Sequence, residues 1–399
     1  MLVEKIFLSL LFLIPIIGLY SGLSVAGTVP VFLLSCLFYV RKFLEFRIRD
    51  NKLEIIFTLW VIASSLWSIS FVSSFSSAIK FTAEVFLGFF ALQNIGKINI
   101  DESKIEKILI ISLLVSIIVF SIETITSGKI SLLFRELMQK KESHIFFLHY
   151  LDRGLALLTL LSWVVISIFL KNENRIASFA VYCGLIIVLS YSDNLAALVA
   201  HIIAGFVFVI TRFTILKNPK ILCFLFLICN ILMIIFAFKV DSLKIAQENY
   251  ILPLSAKHRL FIWNFVAENS EKQPILGIGF NGSRQFSVKE DQMIKLFDQT
   301  FSPLPLHPHN NVMQVYFELG VIGLILYLAL ACNYILFIGK YYRTTNIISR
   351  DLICSLYSCF SVYWIMAMIS YSLWQSWWVF SIFWISSLFS MLIIPKIHS

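Results

Sequence analysis

Apolar residues run through this chain in long blocks separated by short polar intervals. A helix rises about 1.5 Å per residue, so roughly 17–25 mostly apolar residues cross about 30 Å of hydrocarbon. Stretches of that kind lie at residues 4–23, 25–40, 54–70, 77–95, 107–124, 153–170, 176–191, 195–214, 220–239, 312–338, 352–372 and 375–394. The pattern predicts an all-α polytopic membrane protein with about twelve transmembrane helices. It reads as a single membrane domain over residues 1–399. The division near 191–195 rests on Ser192-Asp193-Asn194, a polar triplet that interrupts a longer apolar stretch. The first run, Ile6–Leu23, is like a signal peptide, but Val25–Val40 follows at once without a convincing cleavage site. It is therefore read as an uncleaved span.

Composition agrees with this reading. The chain is 59% hydrophobic and 14% charged, with a mean hydropathy of +0.87, whereas soluble domains carry about 25% charged residues. The net charge of +9 would suit a nucleic-acid binder if it were clustered. It is scattered among short loops instead, which points to membrane topology and away from nucleic acid. All seven cysteines lie inside apolar runs, so neither a disulfide framework nor a metal site is expected.

Lysine and arginine recur after every second span: Arg41, Lys42, Arg47, Arg49 and Lys52; Lys97, Lys104 and Lys107; Lys171 and Arg175; Lys217 and Lys220; Lys340, Arg343 and Arg350. The positive-inside rule then places both termini in the cytoplasm. It leaves two longer segments outside, 125–152 and 240–311. The second is long for a helix connection, and such loops are usually functional. A short helix is expected at 256–269 with Ser255 as its N-cap, broken afterwards by Pro274 and Gly277-Ile278-Gly279.

Candidate chemistry concentrates in that segment. His307-Pro308-His309-Asn310-Asn311 runs directly into the tenth span. Asn310 or Asn311 can cap the helix, whose amino end carries free N–H groups and partial positive charge. A histidine there is disfavoured as imidazolium and should be neutral, hence competent as a general base; a capping histidine with packing value alone is the alternative. In Lys257-His258-Arg259-Leu260-Phe261-Ile262-Trp263, Arg259 and Trp263 share a helix face. Arg259 suits phosphate, or else snorkels to headgroups beside an interfacial Trp263. Arg153, in Asp152-Arg153-Gly154, breaks the positive-inside trend and either binds phosphate or pairs with Asp152. Within the spans, Lys80 and Glu84 are placed to form an ion pair, and Glu318 and His201 either line a polar cavity or are structural.

Three elements occur in order: Arg259…Trp263; Pro274-Ile275-Leu276-Gly277-Ile278-Gly279; and His309-Asn310…Glu318-Leu319-Gly320…Gly323. Together with the topology, they resemble the O-antigen ligase/polymerase superfamily of bacterial envelope glycosyltransferases, and most closely its ligases. The resemblance implies a GT-C-like fold with a large periplasmic loop in the bacterial inner membrane. It implies a donor glycan on undecaprenyl pyrophosphate and a lipid A–core acceptor. The implied transfer is inverting, metal-independent and without a cofactor. His309 matches the family base, Arg259 an arginine on the donor pyrophosphate, and Arg153 another. His307, Asn310, Lys257, Arg284 and Glu318 are candidate supporting residues. The chain departs from the family at Asp193-Asn194, where many ligases carry an arginine; Lys257 or Arg284 would have to replace it. The rival readings are a Wzy-type polymerase, sharing the donor, a transporter or flippase of lipid-linked glycan, and a structural membrane scaffold.

Overall fold

The computed structural model describes residues 2–41, 44–47, 51–139, 146–213, 218–248, 251–296, 299–344 and 350–393. Lys42, Arg49 and Lys217 lie outside the described residues. The chain is an all-α polytopic membrane protein. Its helices are α1 (Leu2–Tyr20), α2 (Val25–Tyr39), α3 (Lys52–Ser64), α4 (Phe71–Ile95), α5 (Glu102–Ile125), α6 (Lys129–Gln139), α7 (Asp152–Lys171), α8 (Arg175–Ser190), α9 (Leu195–Phe213), α10 (Pro219–Lys239), α11 (Ser242–Glu248), α12 (Leu254–Ser270), α13 (Asn311–Thr344), α14 (Arg350–Ile369) and α15 (Ser376–Ile393). Among the described residues, nine helices are long and apolar enough to cross a membrane; α8 and α15 are shorter apolar helices. Helix α3 has only 13 residues and continues as a 3-10 turn, Ser65–Trp67.

Helix α7 is the central post. Its side chains from Gly154 to Ile168 are all buried, and α1, α5, α8, α14 and α15 pack around it. Close approach matters where α7 meets α1: a Cβ at Gly154 would lie 2.3 Å from the Leu19 Cα, so only glycine permits this crossing. The ends of the bundle differ in character. At one end Lys171 pairs with Glu102 and Glu106, and Arg212 of α9 pairs with Asp351 of α14. At the other end lie the amino terminus of α7, the turn between α8 and α9, the 240–310 segment, and the connection from α14 to α15.

The 240–310 segment holds more structure than the one short helix expected. It contains α11, the 17-residue α12, and an antiparallel hairpin of β1 (Ile294–Leu296) with β2 (Gln299–Phe301). Helix α12 starts earlier than predicted. Pro253, not Ser255, occupies its N-cap, and Ser255 falls in the first turn; proline fixes an extended φ that delivers the chain into a helix. The segment has its own small core, where Ile262, Val266, Ala267, Ile278 and Leu304 pack on Ala237, Met313 and Phe317.

Helix α13 is not the continuous span the sequence suggested. Gly320 (φ 66°, ψ −171°) breaks it, a conformation open essentially to glycine alone. The break frees carbonyls, and the Pro274–Gly279 turn takes them: Ile278 N–H donates to Phe317 O (3.0 Å), and Gly279 N–H to Glu318 O (2.8 Å). Val321 N–H returns a bond to Pro274 O (2.9 Å), and the Trp60 indole donates to Leu319 O (3.1 Å). Two of the motifs read from the sequence are thus halves of one interlock.

Candidate functional site

The segment His307–Asn311 is held from three sides. Asn310 is the N-cap of α13, its Oδ1 accepting from Met313 N–H at 3.0 Å. The Trp263 indole, one turn along α12 from Arg259, donates to Pro308 O at 3.1 Å. The His309 ring meets Ser370 O, in the α14–α15 connection, through Nδ1 at 2.8 Å.

That last contact fixes the tautomer. A carbonyl only accepts, so Nδ1 carries the proton and Nε2 keeps its lone pair. The backbone of His309 sits in the left-handed region (φ 51°), a strained position for a residue other than glycine. Its N–H donates to Nδ1 of His307 at 3.1 Å, so the His307 ring must accept there and carry its proton on Nε2. The two ring centroids are 4.1 Å apart. Burial is the main cause that lowers the pKa of His309 to about 4, with the charges of Arg259 and His258 acting in the same direction against the Ser370 carbonyl. His307 falls further, to about 2, through burial and then the charges of His309, Arg284 and Arg259. Both imidazoles are neutral at pH 7.

The structure brings Arg259 to this pair. Burial draws its guanidinium below its usual pKa, while Tyr371 and Asp152 oppose that shift. It makes no ion pair within 4 Å among the described residues, so its donors are open to an anion. Arg284 lies near enough to His307 to depress its pKa. Arg153 sits at the start of α7 with its guanidinium 5.9 Å from the Trp377 ring centroid, and no ion pair with Asp152 forms among the described residues. Gly22 gives it room, since a Cβ there would lie 2.3 Å from that of Arg153.

Two supporting candidates do other work. The Lys257 ammonium is buried and donates to Ala246 O of α11 at 2.8 Å. Two residues from Arg259, it lies about 200° around the helix, and it ties α12 to α11. The carboxylate of Glu318 is fully buried. It accepts from Asn281 N–H (2.6 Å), the Trp374 indole (2.6 Å) and Gln314 Nε2 (3.3 Å). Glu318 is therefore a structural hub that joins the 280s turn, α13 and the α14–α15 connection. His201 is likewise buried among rings, with Tyr182 4.8 Å away. Lys80 and Glu84 come within 3.9 Å, Glu84 buried and Lys80 exposed.

Sequence reasoning missed the α14–α15 connection. Ser370 orients His309, and the Tyr371 hydroxyl donates to Asp152 O at 3.2 Å; burial and then Asp152 raise the pKa of that phenol. Asn194, one of the two residues at the family departure, donates to the same Asp152 carbonyl at 2.9 Å and caps α9 through Ala197 N–H. The signal in the sequence was the polar set Ser370, Ser372, Gln375 and Ser376 between two apolar stretches. Among the described residues no group of three or more His, Cys, Asp or Glu side chains is placed to hold a metal ion.

The architecture defines a class: a polytopic helical membrane protein with a neutral histidine pair and a half-buried arginine under a structured loop at one end of the bundle. Comparison with known proteins narrows it. Residues 177–328 match the family described as O-antigen ligase. A Rickettsia prowazekii protein named "Putative polysaccharide ligase" is 34% identical over 421 aligned positions, covering 99% of each chain. Namesakes from Rickettsia felis and Rickettsia typhi are also 34% identical, covering 98% and 99% of each chain respectively. The chain belongs to the O-antigen ligase family.

Proposed function

We propose that this protein is a polysaccharide ligase that transfers an O-antigen glycan from undecaprenyl pyrophosphate to a sugar hydroxyl of lipid A–core. The reaction takes place on the periplasmic side of a bacterial inner membrane, with both chain termini in the cytoplasm. The names of the relatives support ligation over polymerisation or transport. The orientation is supported by Lys171, Arg175, Arg212, Lys220 and Arg350, which gather at the end of the bundle opposite His309.

The observation that carries the reading is the orientation of His309, whose Nδ1 is committed to Ser370 O and whose Nε2 keeps its lone pair, beside an arginine that makes no ion pair within 4 Å among the described residues. Nε2 removes the proton from the acceptor hydroxyl. The oxygen attacks the anomeric carbon of the donor as the bond from that carbon to the phosphate oxygen breaks. Undecaprenyl pyrophosphate departs with the electron pair, and the proton passes from the imidazolium to the leaving phosphate or to water. Arg259 stabilises the charge that grows on that phosphate, by two parallel hydrogen bonds in a site of low dielectric. Arg284 adds to the positive field, and Arg153 is a further cation at the border of the phosphate site. Fixing both substrates in line supplies much of the acceleration, because it removes the entropy of a bimolecular encounter.

The test is a deletion strain complemented with wild type, Arg259→Ala or Arg259→Lys and read on lipopolysaccharide gels. Wild type restores the ladder of side chains. Arg259→Ala fails at normal membrane levels, and Arg259→Lys recovers only part, having lost the bidentate geometry. Single repeats still attached to lipid A–core in the deletion strain would mark a polymerase instead, and unchanged lipopolysaccharide would refute the assignment.

A further inference from the structure

The Pro274–Gly279 turn grips α13 on one side and carries an apolar surface on the other, where Ile275 is 60% exposed and Leu276 44%. The connection from α3 to α4 lies against that surface. The Trp67 indole donates to Leu276 O at 3.2 Å, and a Cβ on Gly279 would lie 2.5 Å from the Ser68 Cα. The connection exposes Leu66, Ile69, Phe71 and Val72 in its turn. From Ile55 to Ile79, and again from Pro274 to Ser283, the chain has no charged residue. Large apolar side chains gathered in an uncharged patch are costly to hold against water.

We infer that this patch enters the membrane, the tip of the turn and the α3–α4 connection forming a wedge in the lipid hydrocarbon of the leaflet at the His309 end of the bundle. The segment 240–311 then stands outside the bilayer except at this tip. The inference needs neither the ligase reading nor a choice of which way the chain faces.

Helix α4 sets the depth. The Ser74 hydroxyl donates to Phe280 O and lies 2.8 Å from Ser68 Oγ, so the helix, the turn and the connection meet at one level. Nineteen residues further along α4, Gln93 Oε1 accepts from Arg47 N–H at 3.0 Å. There Glu45 pairs with Arg47 (2.8 Å) and Lys97 (3.5 Å), a charged cluster that belongs in water at the opposite boundary. Nineteen helical residues rise about 28 Å, and any tilt shortens that rise along the membrane normal. Ser74 and the turn bonded to it therefore fall within the roughly 30 Å of hydrocarbon.

The lipid-facing side of α4 continues the patch. Val72, Phe75, Ile79 and Phe86 are exposed at spacings of three, four and seven, which is one helix face of a candidate span. Lys80 flanks that face, its ammonium 3.9 Å from Glu84 and its stem long enough to reach towards headgroups.

Irregular backbone is stable in hydrocarbon only where protein satisfies its polar groups. The interlock does so here. Gly277 N–H donates to Gln273 O, those of Ile278 and Gly279 to α13, and Pro274, which has no N–H, gives its carbonyl to Val321. The carbonyls of Leu276 and Phe280 go to Trp67 and Ser74. Residues 277–280 are buried, so the side chains of Ile275 and Leu276 are what the turn presents outward.

The experiment uses full-length protein in liposomes of phosphatidylethanolamine and phosphatidylglycerol. Ile275→Cys, Val72→Cys and Glu271→Cys, all at exposed positions, each carry a nitroxide label, and the wild-type signal from native cysteines is subtracted. Oxygen concentrates in hydrocarbon while a nickel chelate stays in water, so relaxation by each reports the surroundings of the label. The labels at 275 and 72 are expected to respond to oxygen and not to nickel, and the label at 271 to nickel. Nickel reaching 275 as readily as 271 overturns the inference, because the turn then rides in water. Labels at 275 and 72 closed to both relaxers and broadened by spin–spin contact would seat a second copy of the chain on the patch, and would overturn it equally.

Discussion

At the scale of single residues, the chemistry turns on how two histidines divide their protons. His307 accepts from the backbone of His309, which donates its own Nδ1–H to Ser370. Each bond specifies one neutral tautomer, and burial keeps both rings neutral. A histidine whose pKa is depressed to about 4 is deprotonated at every pH above that value and loses base function only as pH falls through it. The kcat/KM for ligation, which reports the free enzyme, is therefore expected to stay level from pH 8 to about 5 and to fall below that. An unperturbed histidine would give an acid limb near 6.5. Bound pyrophosphate offsets the Arg259 charge that helps hold His309 down, so the limb in kcat should move to higher pH. An acid limb at 6.5 in kcat/KM would contradict the burial argument. His307→Ala leaves the His309 N–H without its acceptor, at a cost of about 1–3 kcal/mol, which a lower unfolding temperature would register.

At the scale of elements, the interlock between the Pro274–Gly279 turn and the break in α13 supports the site without touching substrate. A Cβ at Gly320 would lie 2.1 Å from Ile275 O, and one at Gly277 would lie 2.5 Å from the Glu318 carbonyl carbon, both at positive φ. Gly320→Ala should cost about 1–3 kcal/mol from backbone strain alone, with the clash in addition, seen as lower membrane levels and earlier unfolding. Glu318→Gln places an amide among N–H donors that need an acceptor, so it too should destabilise, by about 1–3 kcal/mol. A variant that melted like wild type while losing activity would instead make Glu318 part of the chemistry. The sequence disclosed these motifs as an ordered set but not that they pair, because a hydrogen bond between residues forty apart leaves no periodic mark. Asn310 as the cap and Arg259 with Trp263 on one helix face were legible, since caps and helical spacing are local. Ser255 was misplaced because Pro253 outranks it at the helix entry, and the bond from the Lys257 ammonium to Ala246 O had no mark in the spacing. The Ser370–Tyr371 contribution comes from a connection more than sixty residues away and could be found only in three dimensions.

At the scale of the whole molecule, the apolar blocks forecast the helical membrane architecture well, because a bilayer demands long apolar helices whatever their packing. What they could not forecast was which helix would be central. Helix α7 is apolar like its neighbours, yet among the described candidate spans it is the most completely buried, with α14 next, a consequence of Gly154 and of packing on several sides at once. The proposed orientation predicts that cysteine at the exposed position Glu271 reacts with an impermeant maleimide in cells with permeabilised outer membranes. Cysteine at Asn172 should react only after the inner membrane is broken; the reverse pattern would invert the topology.

The most direct test of the account is reconstituted ligation, in which purified protein in nanodiscs receives undecaprenyl-pyrophosphate-linked glycan and lipid A–core. Wild type is expected to form the glycan–lipid A–core product and release undecaprenyl pyrophosphate. His309→Ala, folded and still binding donor, should fall by about 100-fold or more, the loss expected when a positioned base is removed. Ligation by His309→Ala at the wild-type rate would contradict the account.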